Sequence, residues 1–299
     1  MSLILPNLLF LGPPKCGTTT FYSICETHPD ICVSSFKEPA FFSDEKAIQK
    51  GLKWYSNKYF SHCNGKKVVC EFTPAYFSSS IAIKNIHSSF GPDTKFAVVL
   101  RNPAHRSYSH YLHLKREGLV SAPFDVLMYQ LADNYSKNND LNDRIGKIYT
   151  DSLYDVHFAN FFKYFPDRSN LLILSFEEDV RNNCLGFKTK LSDFMNLEFK
   201  NFPDGDVEIK NSAQELNSFI MPFMRFLNSD NFLKKISRKI VPAHVRFETG
   251  VKINVFVNKN FIKPSVKPDA STLTLITTEL FSESIRNTEK IINEKLIYS

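Results

Sequence analysis

Five short apolar runs punctuate the first two-thirds of this 299-residue chain: Leu8–Leu11, Ile31–Ser34, Val68–Glu71, Phe96–Leu100 and Leu171–Phe176. Continuous runs of this length, without alternation, predict strands covered on both faces. Between most of them apolar positions recur at helical spacing, which predicts helices over Thr18–His28, Ser79–Phe90, Ala104–Arg116, Pro123–Asn134 and Ser152–Phe165. Strands alternating with helices predict a parallel sheet with right-handed crossovers. Ligands of such sheets gather at the carboxyl ends of strands, and Gly12, Glu38, Glu71 and Arg101 fall at or just past those ends. A last helix is predicted from Ser271 to about Leu296, with Leu273, Ile276, Leu280, Ile285 and Ile292 on or near its apolar side. Residues 201–250 are the least regular and most polar part, and no internal repeat interrupts the pattern.

The first strand leads into Gly12-Pro13-Pro14-Lys15-Cys16-Gly17-Thr18-Thr19-Thr20. Strand, tight loop and helix N-terminus together suit a phosphate, because backbone N–H groups and the helix dipole both favour an anion. The glycines have the spacing of a nucleotide-binding P-loop, but a Walker loop places lysine directly after the second glycine. Here Thr18 holds that position and the lysine sits inside the loop as Lys15. Three consecutive threonines suit a helix start, where a side-chain oxygen can cap free N–H groups, better than a helix interior. A capped helix after a plain turn is the structural alternative. Cys16, beside this loop, is a candidate for an acidified thiol, with an inert small residue as the alternative.

The fourth strand ends in Arg101-Asn102-Pro103, and Pro103 fits the first turn of a helix. Metal-dependent P-loop enzymes commonly end a strand near this point in an acidic residue that holds magnesium. A guanidinium is suited instead to a pair of anionic oxygens. The pattern therefore predicts a second phosphate pocket and no metal.

Lys15 to Thr20 resembles the 5′-phosphosulfate loop of sulfotransferases that use 3′-phosphoadenosine 5′-phosphosulfate (PAPS), and Arg101 to Ser109 resembles their 3′-phosphate motif, an arginine followed eight residues later by a serine. Lys37-Glu38-Pro39-Ala40-Phe41-Phe42, then Gly51 to Tyr55, then Glu71-Phe72-Thr73-Pro74-Ala75-Tyr76-Phe77 is similar in order and spacing to the heparan sulfate sulfotransferase branch and its bacterial relatives. Asp151–Phe165 and Leu171–Asp179 resemble the family's later helix and strand, so the likeness spans roughly residues 7 to 200. It implies an α/β, P-loop-like three-layer fold, with a central parallel sheet flanked by helices. A single domain over 1–299 is expected, with 201–250 as an acceptor-binding subregion or lid.

The resemblance also implies roles. Lys15, Cys16, Gly17, Thr18, Thr19 and Thr20 would hold the phosphosulfate, and Arg101 with Ser109 the 3′-phosphate. Two separated cationic pockets would thus grip opposite ends of the donor, without a metal. Glu38 is the expected base and Lys15 the expected catalytic cation, with Glu71 in reserve; a Glu38 merely paired with Lys37 or capping a local turn is the structural alternative. The family's small-molecule branch uses a histidine near the position of Thr73, which this chain lacks. One departure stands out: the heparan-type lysine that follows the glutamate is Phe72 here. Either Lys15 or Lys37 would then carry the cationic role, or the acceptor pocket would differ. The late, basic cofactor loop is only loosely echoed, by Lys259. The implied reaction is sulfuryl transfer to a hydroxyl, less readily an amine, of a carbohydrate or glycoconjugate. A small natural-product acceptor is the alternative, and a P-loop nucleotide kinase or a non-catalytic nucleotide-binding protein the more distant rivals.

Composition agrees with one large α/β core, and the 28 phenylalanines predict much ring packing. A net charge of +6 suits an anionic donor without establishing an acidic acceptor. The basic cluster Lys234, Lys235, Arg238 and Lys239 is read as a solvated helix face, with an anionic glycan, membrane surface or nucleic acid as its alternatives. No nucleic-acid partner is expected, while peripheral membrane contact stays open. The six cysteines form no C-x-x-C and no zinc spacing with histidine. With no signal peptide and no apolar run long enough for a bilayer, the chain is expected in the cytoplasm with reduced thiols.

Overall fold

A computed structural model describes residues 3–91, 94–202, 214–216, 262–264 and 269–296. These fall into two compact units. The first holds the described residues of Met1–Arg106, Asp151–Lys210 and Thr277–Ser299, and the second those of Ser107–Thr150 and Asn211–Ile276.

The first unit is built on five parallel strands, β1 (Leu8–Gly12), β2 (Ile31–Val33), β3 (Val68–Phe72), β4 (Lys95–Leu100) and β5 (Leu171–Ser175), in the order β2-β3-β1-β4-β5. All five expected strands form, with ends shifted by a residue or so. Alternation explains their unbroken apolar character. Leu8 and Phe10 enter one core with Phe21, Ile24 and Phe187, while Leu9 and Leu11 enter the other with Phe96, Phe158 and Phe161. Helices α1 (Thr18–Thr27), α2 (Glu45–Ile48), α3 (Gly51–Tyr59), α4 (Ser80–Ser89), α8 (Tyr154–Phe162) and α9 (Arg181–Met195) belong to this unit. Helix α5 (Pro103–Arg116) starts in it. The chain moves to one side of β1 through β2 and β3, and to the other through β4 and β5. The order therefore reverses between β1 and β4, which opens a crevice at their carboxyl ends.

The second unit contains the later part of α5, α6 (Phe124–Ser136), α7 (Lys147–Thr150) and an antiparallel pair, β6 (Gln214–Leu216) and β7 (Ile262–Pro264). Tyr108, Tyr111 and Phe124 pack ring against ring, and the Tyr111 hydroxyl donates to the Ala122 carbonyl at 2.9 Å.

Three expectations need correction. The single last helix is two, α10 (Ala270–Leu280) and α11 (Ser282–Ile292), because Phe281 turns out of helical geometry (φ −122°, ψ −4°) to bury its ring completely. The fifteen-residue α9 is not predicted from the pattern, since Asn182, Asn183 and Gly186 are poor helix formers. It forms because Phe187, Leu191 and Met195 close one core, and Gly186 is required where a Cβ would meet Asp179 Oδ1 at 2.4 Å. The thiols are not all reduced either, since Cys32 and Cys63 form a disulfide. Among the described residues no helix is long and apolar enough to cross a membrane. Lys259 and the cluster Lys234, Lys235, Arg238 and Lys239 lie outside the described residues, as does 201–250 apart from 201–202 and 214–216.

Candidate active site

β1 and β4 deliver the two expected anion motifs to the crevice. Gly12 ends β1 at φ +110°, where a Cβ would strike the Pro74 carbonyl oxygen at 1.9 Å, so only glycine lets the loop leave the sheet here. Gly17, at φ +82°, is the N-cap of α1. No side chain caps this helix, which corrects the expectation of a threonine cap. Thr20 N instead bonds back to the Gly17 carbonyl at 2.9 Å. Thr18 and Thr20 are buried and Thr19 is half-buried. The Thr20 hydroxyl makes no hydrogen bond although it is buried. An uncapped N-terminus keeps its first N–H groups and positive dipole end available to an anion.

Arg101 follows β4 directly and turns onto this loop. Its Nη1 donates to the Lys15 carbonyl at 3.0 Å, and its guanidinium lies 4.4 Å over the Phe176 ring. The same ring stands 3.0 Å from where a Gly17 Cβ would be. Arg101 is therefore tied to the wall of the loop by one guanidinium nitrogen. Its Nε is buried and makes no hydrogen bond. Tyr154 donates its hydroxyl to the Arg101 carbonyl at 2.8 Å, and Glu177 accepts from Asn102 N at 3.0 Å. The Asn102 side chain caps α5 by accepting from Ala104 N and His105 N. Ser109 is half-buried on α5, in the second unit.

Beneath the loop Arg106 is fully buried, donating to Ser152 Oγ at 2.5 Å and facing Asp151 at 3.7 Å. Cys16 lies in this environment. Burial pushes its thiol up to about 12 despite the nearby Arg106 and Arg101 charges, so the expected acidic thiol is not found.

Glu38 lies in the segment after β2, where its N–H donates to the Phe72 carbonyl at 3.1 Å. Its carboxylate is 49% exposed and pairs with Lys37. Both expected catalytic residues have an uncommon backbone geometry. Among the described residues, the non-glycine positions with positive φ that are not asparagine are Lys15, Glu38, Ala40 and Cys184. Asparagine tolerates this region, whereas other side chains are strained in it, and such strain clusters at functional sites.

Glu71 is different. It is completely buried, accepts from the Tyr55 hydroxyl and from Thr73 Oγ1 (2.6 Å), and is also bonded by the Tyr76 hydroxyl. Burial raises its carboxyl above the usual range, and the hydroxyl donors oppose the rise. Through Thr73 Oγ1, which accepts from Ala40 N at 3.4 Å, and Tyr76, which accepts from Phe42 N at 3.1 Å, Glu71 anchors the Glu38 segment. Phe72 points into the opposite core, stacked on Phe10 at 4.1 Å and edge-on to Tyr22. Tyr55, Tyr154, Phe176 and Glu177 fall within the stretches that resemble the family, Gly51 to Tyr55, Asp151–Phe165 and Leu171–Asp179, but no role was assigned to them there.

The residues present fit a phosphosulfate donor. An uncapped helix start, a buried Thr20 hydroxyl without a partner and a buried Arg101 Nε without an acceptor are all groups an anionic oxygen would satisfy, and Lys15 adds positive charge to the loop.

A parallel α/β sheet with such a loop at its switch point defines a nucleotide-type anion binder, and the sequence makes the class specific. The family model described as "Sulfotransferase domain" matches residues 5–241, and the chain belongs to that family. Among its relatives, the heparan sulfate glucosamine 3-O-sulfotransferase 6 of Mus musculus is 32% identical over 195 residues, covering 64% of this chain and 53% of that protein. The bifunctional heparan sulfate N-deacetylase/N-sulfotransferase 1 of Caenorhabditis elegans is 34% identical over 115 residues, covering 37% and 13%. The chain thus spans about half the length, or less, of the curated relatives it matches. A sulfotransferase crystal structure from Alicyclobacillus acidocaldarius superimposes with a TM-score of 0.63 over 98% of both chains at 18% identity, a likeness of fold.

Proposed function

We propose that this chain transfers a sulfuryl group from PAPS to a hydroxyl of a carbohydrate or glycoconjugate. The observation that carries the proposal is the junction of the Gly12–Gly17 loop with Arg101 at the β1–β4 crevice. The relatives' names, both of which specify heparan sulfate, support a sugar acceptor over a small natural product.

In this reading the first-turn N–H groups of α1, Thr18 to Thr20, Lys15 and Arg101 bind the donor's anionic groups, and Ser109 and Lys259 are kept as further candidates for donor binding. When bound, the donor supplies the sulfuryl group and a phosphate leaving group. Lys15 places its ammonium where negative charge builds on that leaving group, an interaction worth more in the transition state than before it. Glu38, exposed and held by its bond to Phe72, takes the acceptor's proton. Lys37 supplies a second cation beside it. No metal is needed in this scheme, because the cationic groups of the chain offset the anion.

Two measurements test it. 3′-Phosphoadenosine 5′-phosphate at about 100-fold over its Kd should add about 2.7 kcal/mol to unfolding, with Mg-ATP adding much less. Stabilisation by Mg-ATP alone would return the chain to the kinases. A PAPS-loaded acceptor screen should then show, by mass spectrometry, an added sulfuryl group on a saccharide. Sulfation confined to small phenols or alcohols would overturn the sugar assignment and keep the donor chemistry.

A further inference from the structure

Away from the loop, the three-residue edge strand β2 carries Cys32, and the turn after α3 carries Cys63. The structure joins them as a disulfide across 31 residues, with Cα atoms 5.5 Å apart. His62 stands against the pair. Its Nε2 is 3.7 Å from Cys63 Sγ and 3.1 Å from the Val33 carbonyl oxygen. That oxygen is 3.6 Å from Cys32 Sγ and 3.9 Å from Cys63 Sγ. The Cys and His donor atoms all lie within 4.8 Å of one another.

Two sulfurs, a nitrogen and an oxygen thus surround one point. In tetrahedral zinc sites Zn–S is about 2.3 Å and Zn–N about 2.0–2.1 Å, which sets neighbouring S and N ligands about 3.5 Å apart. The four separations of 3.1–3.9 Å among Cys63 Sγ, His62 Nε2, the Val33 oxygen and Cys32 Sγ are close to such edges, and Cys32 Sγ lies within 4.8 Å of the His62 donor atom. Both sulfurs are buried and the imidazole is exposed, so an ion has a way in on the histidine side. Thiolate and imidazole are the donors that zinc prefers over harder cations.

We propose that reduction of the Cys32–Cys63 bond converts this clamp into a Cys2His site for a thiophilic divalent cation such as Zn²⁺, with the Val33 carbonyl oxygen or water at the fourth corner. A dithiol or phosphine reductant supplies two electrons to the S–S bond, and each sulfur takes up one proton. The cation then displaces both thiol protons as it forms two metal–thiolate bonds. In the disulfide form Nε2–H donates to the Val33 carbonyl. Metal binding requires the neutral imidazole to exchange with solvent to the tautomer protonated on Nδ1, which frees the Nε2 lone pair for the metal. Among the described residues β2 pairs with β3 alone, and the chain reaches Glu38 five residues after Val33. Bond and metal are thus alternative fasteners that hold this short edge strand to the end of α3. The proposal is independent of the transfer reaction.

The test is a Co²⁺ titration of the full chain, oxidised and after reduction with a phosphine. The reduced protein should bind one equivalent, with thiolate-to-cobalt absorption in the near ultraviolet and tetrahedral bands in the visible. Zn²⁺ should bleach both, with about two protons released per ion. The oxidised protein should show neither. His62→Ala keeps both thiols and should weaken Co²⁺ binding by at least about tenfold, since even outer-shell partners cost that much. Cys25 and Cys70 are also neighbouring buried thiols, so the Cys32→Ser, Cys63→Ser double variant locates the signal. Bands that survive in that variant overturn the proposal. So does a reduced wild type without bands, or unchanged affinity in His62→Ala, neither of which depends on the double variant folding.

Discussion

Glu38 and Glu71 stand past the end of β2 and near the end of β3, adjacent strands, and the segments that carry them are joined by the bond from Glu38 N to the Phe72 carbonyl. Glu38 keeps 49% of its side chain in solvent, pairs with Lys37 and holds a left-handed backbone at φ +61°. Glu71 is wholly enclosed, with hydroxyls of Tyr55, Thr73 and Tyr76 around its carboxyl. A base must be reachable by the molecule it deprotonates, and a strained backbone persists only where its surroundings over-determine it. A buried carboxylate ringed by donors contributes instead by ordering its neighbours, and breaking such a network is costly. The contrast supports Glu38 as the proposed base and a structural part for Glu71, although both were candidate bases on sequence grounds.

The sharpest way to break that division is Glu38→Gln. Its kcat for PAPS-dependent transfer should fall by about 10²–10⁴, while the unfolding free energy changes by less than about 1 kcal/mol, because the pair with Lys37 is solvent-exposed. Full turnover in the variant would return the base to the unassigned residues. Lys15→Ala should lower kcat by about 10²–10³, the range for loss of one charge-stabilising donor, with a smaller change in KM.

Glu71→Ala should act on stability, costing roughly 2–4 kcal/mol in urea denaturation, since buried hydroxyls lose their acceptor and a void remains. The pH dependence carries a sign. The Glu71 carboxyl titrates higher in the folded than in the unfolded chain. Its protonated form therefore adds stability below the unfolded value of about 4.3, and this is lost as pH rises through the raised folded value. The stability of wild type relative to Glu71→Gln should decline over that rise, as read from urea curves at pH 4.5 and 8; a difference that grows with pH would reverse the assigned shift. Arg101→Ala should have the smallest effect of the four, a loss of about 10–100-fold in affinity for 3′-phosphoadenosine 5′-phosphate by calorimetry, the worth of a hydrogen bond to a charged group. Adenosine 5′-phosphate should lose less, and unchanged discrimination between the two would remove Arg101 from the 3′-phosphate.

Much of this molecule is local. The five strands and the helices over Thr18–Thr27, Ser80–Ser89, Pro103–Arg116, Phe124–Ser136 and Tyr154–Phe162 stand close to where their apolar spacing puts them. A two-faced apolar run has few alternatives to a covered strand. The Gly12–Gly17 loop is equally legible, because each glycine answers a steric demand one strand or one ring away. Helix α9 was less so. Its glycine and asparagines argue against helix, and only the core it closes overrides them.

The sequence by itself thus determined the sheet, the anion loop, the strand-end arginine and the family they define. Hydrophobic period and glycine position are read within a few residues, and parallel strands convert them into a site by topology alone. The tertiary structure decided which glutamate is enclosed, that Arg101 turns onto the Lys15 carbonyl, and that Cys32, Cys63 and His62 meet. Those outcomes rest on contacts between residues 16 to 86 positions apart, from Tyr55 and Glu71 to Lys15 and Arg101. No local pattern encodes such pairs, because burial and hydrogen-bond satisfaction exist only once the helices have closed over the sheet.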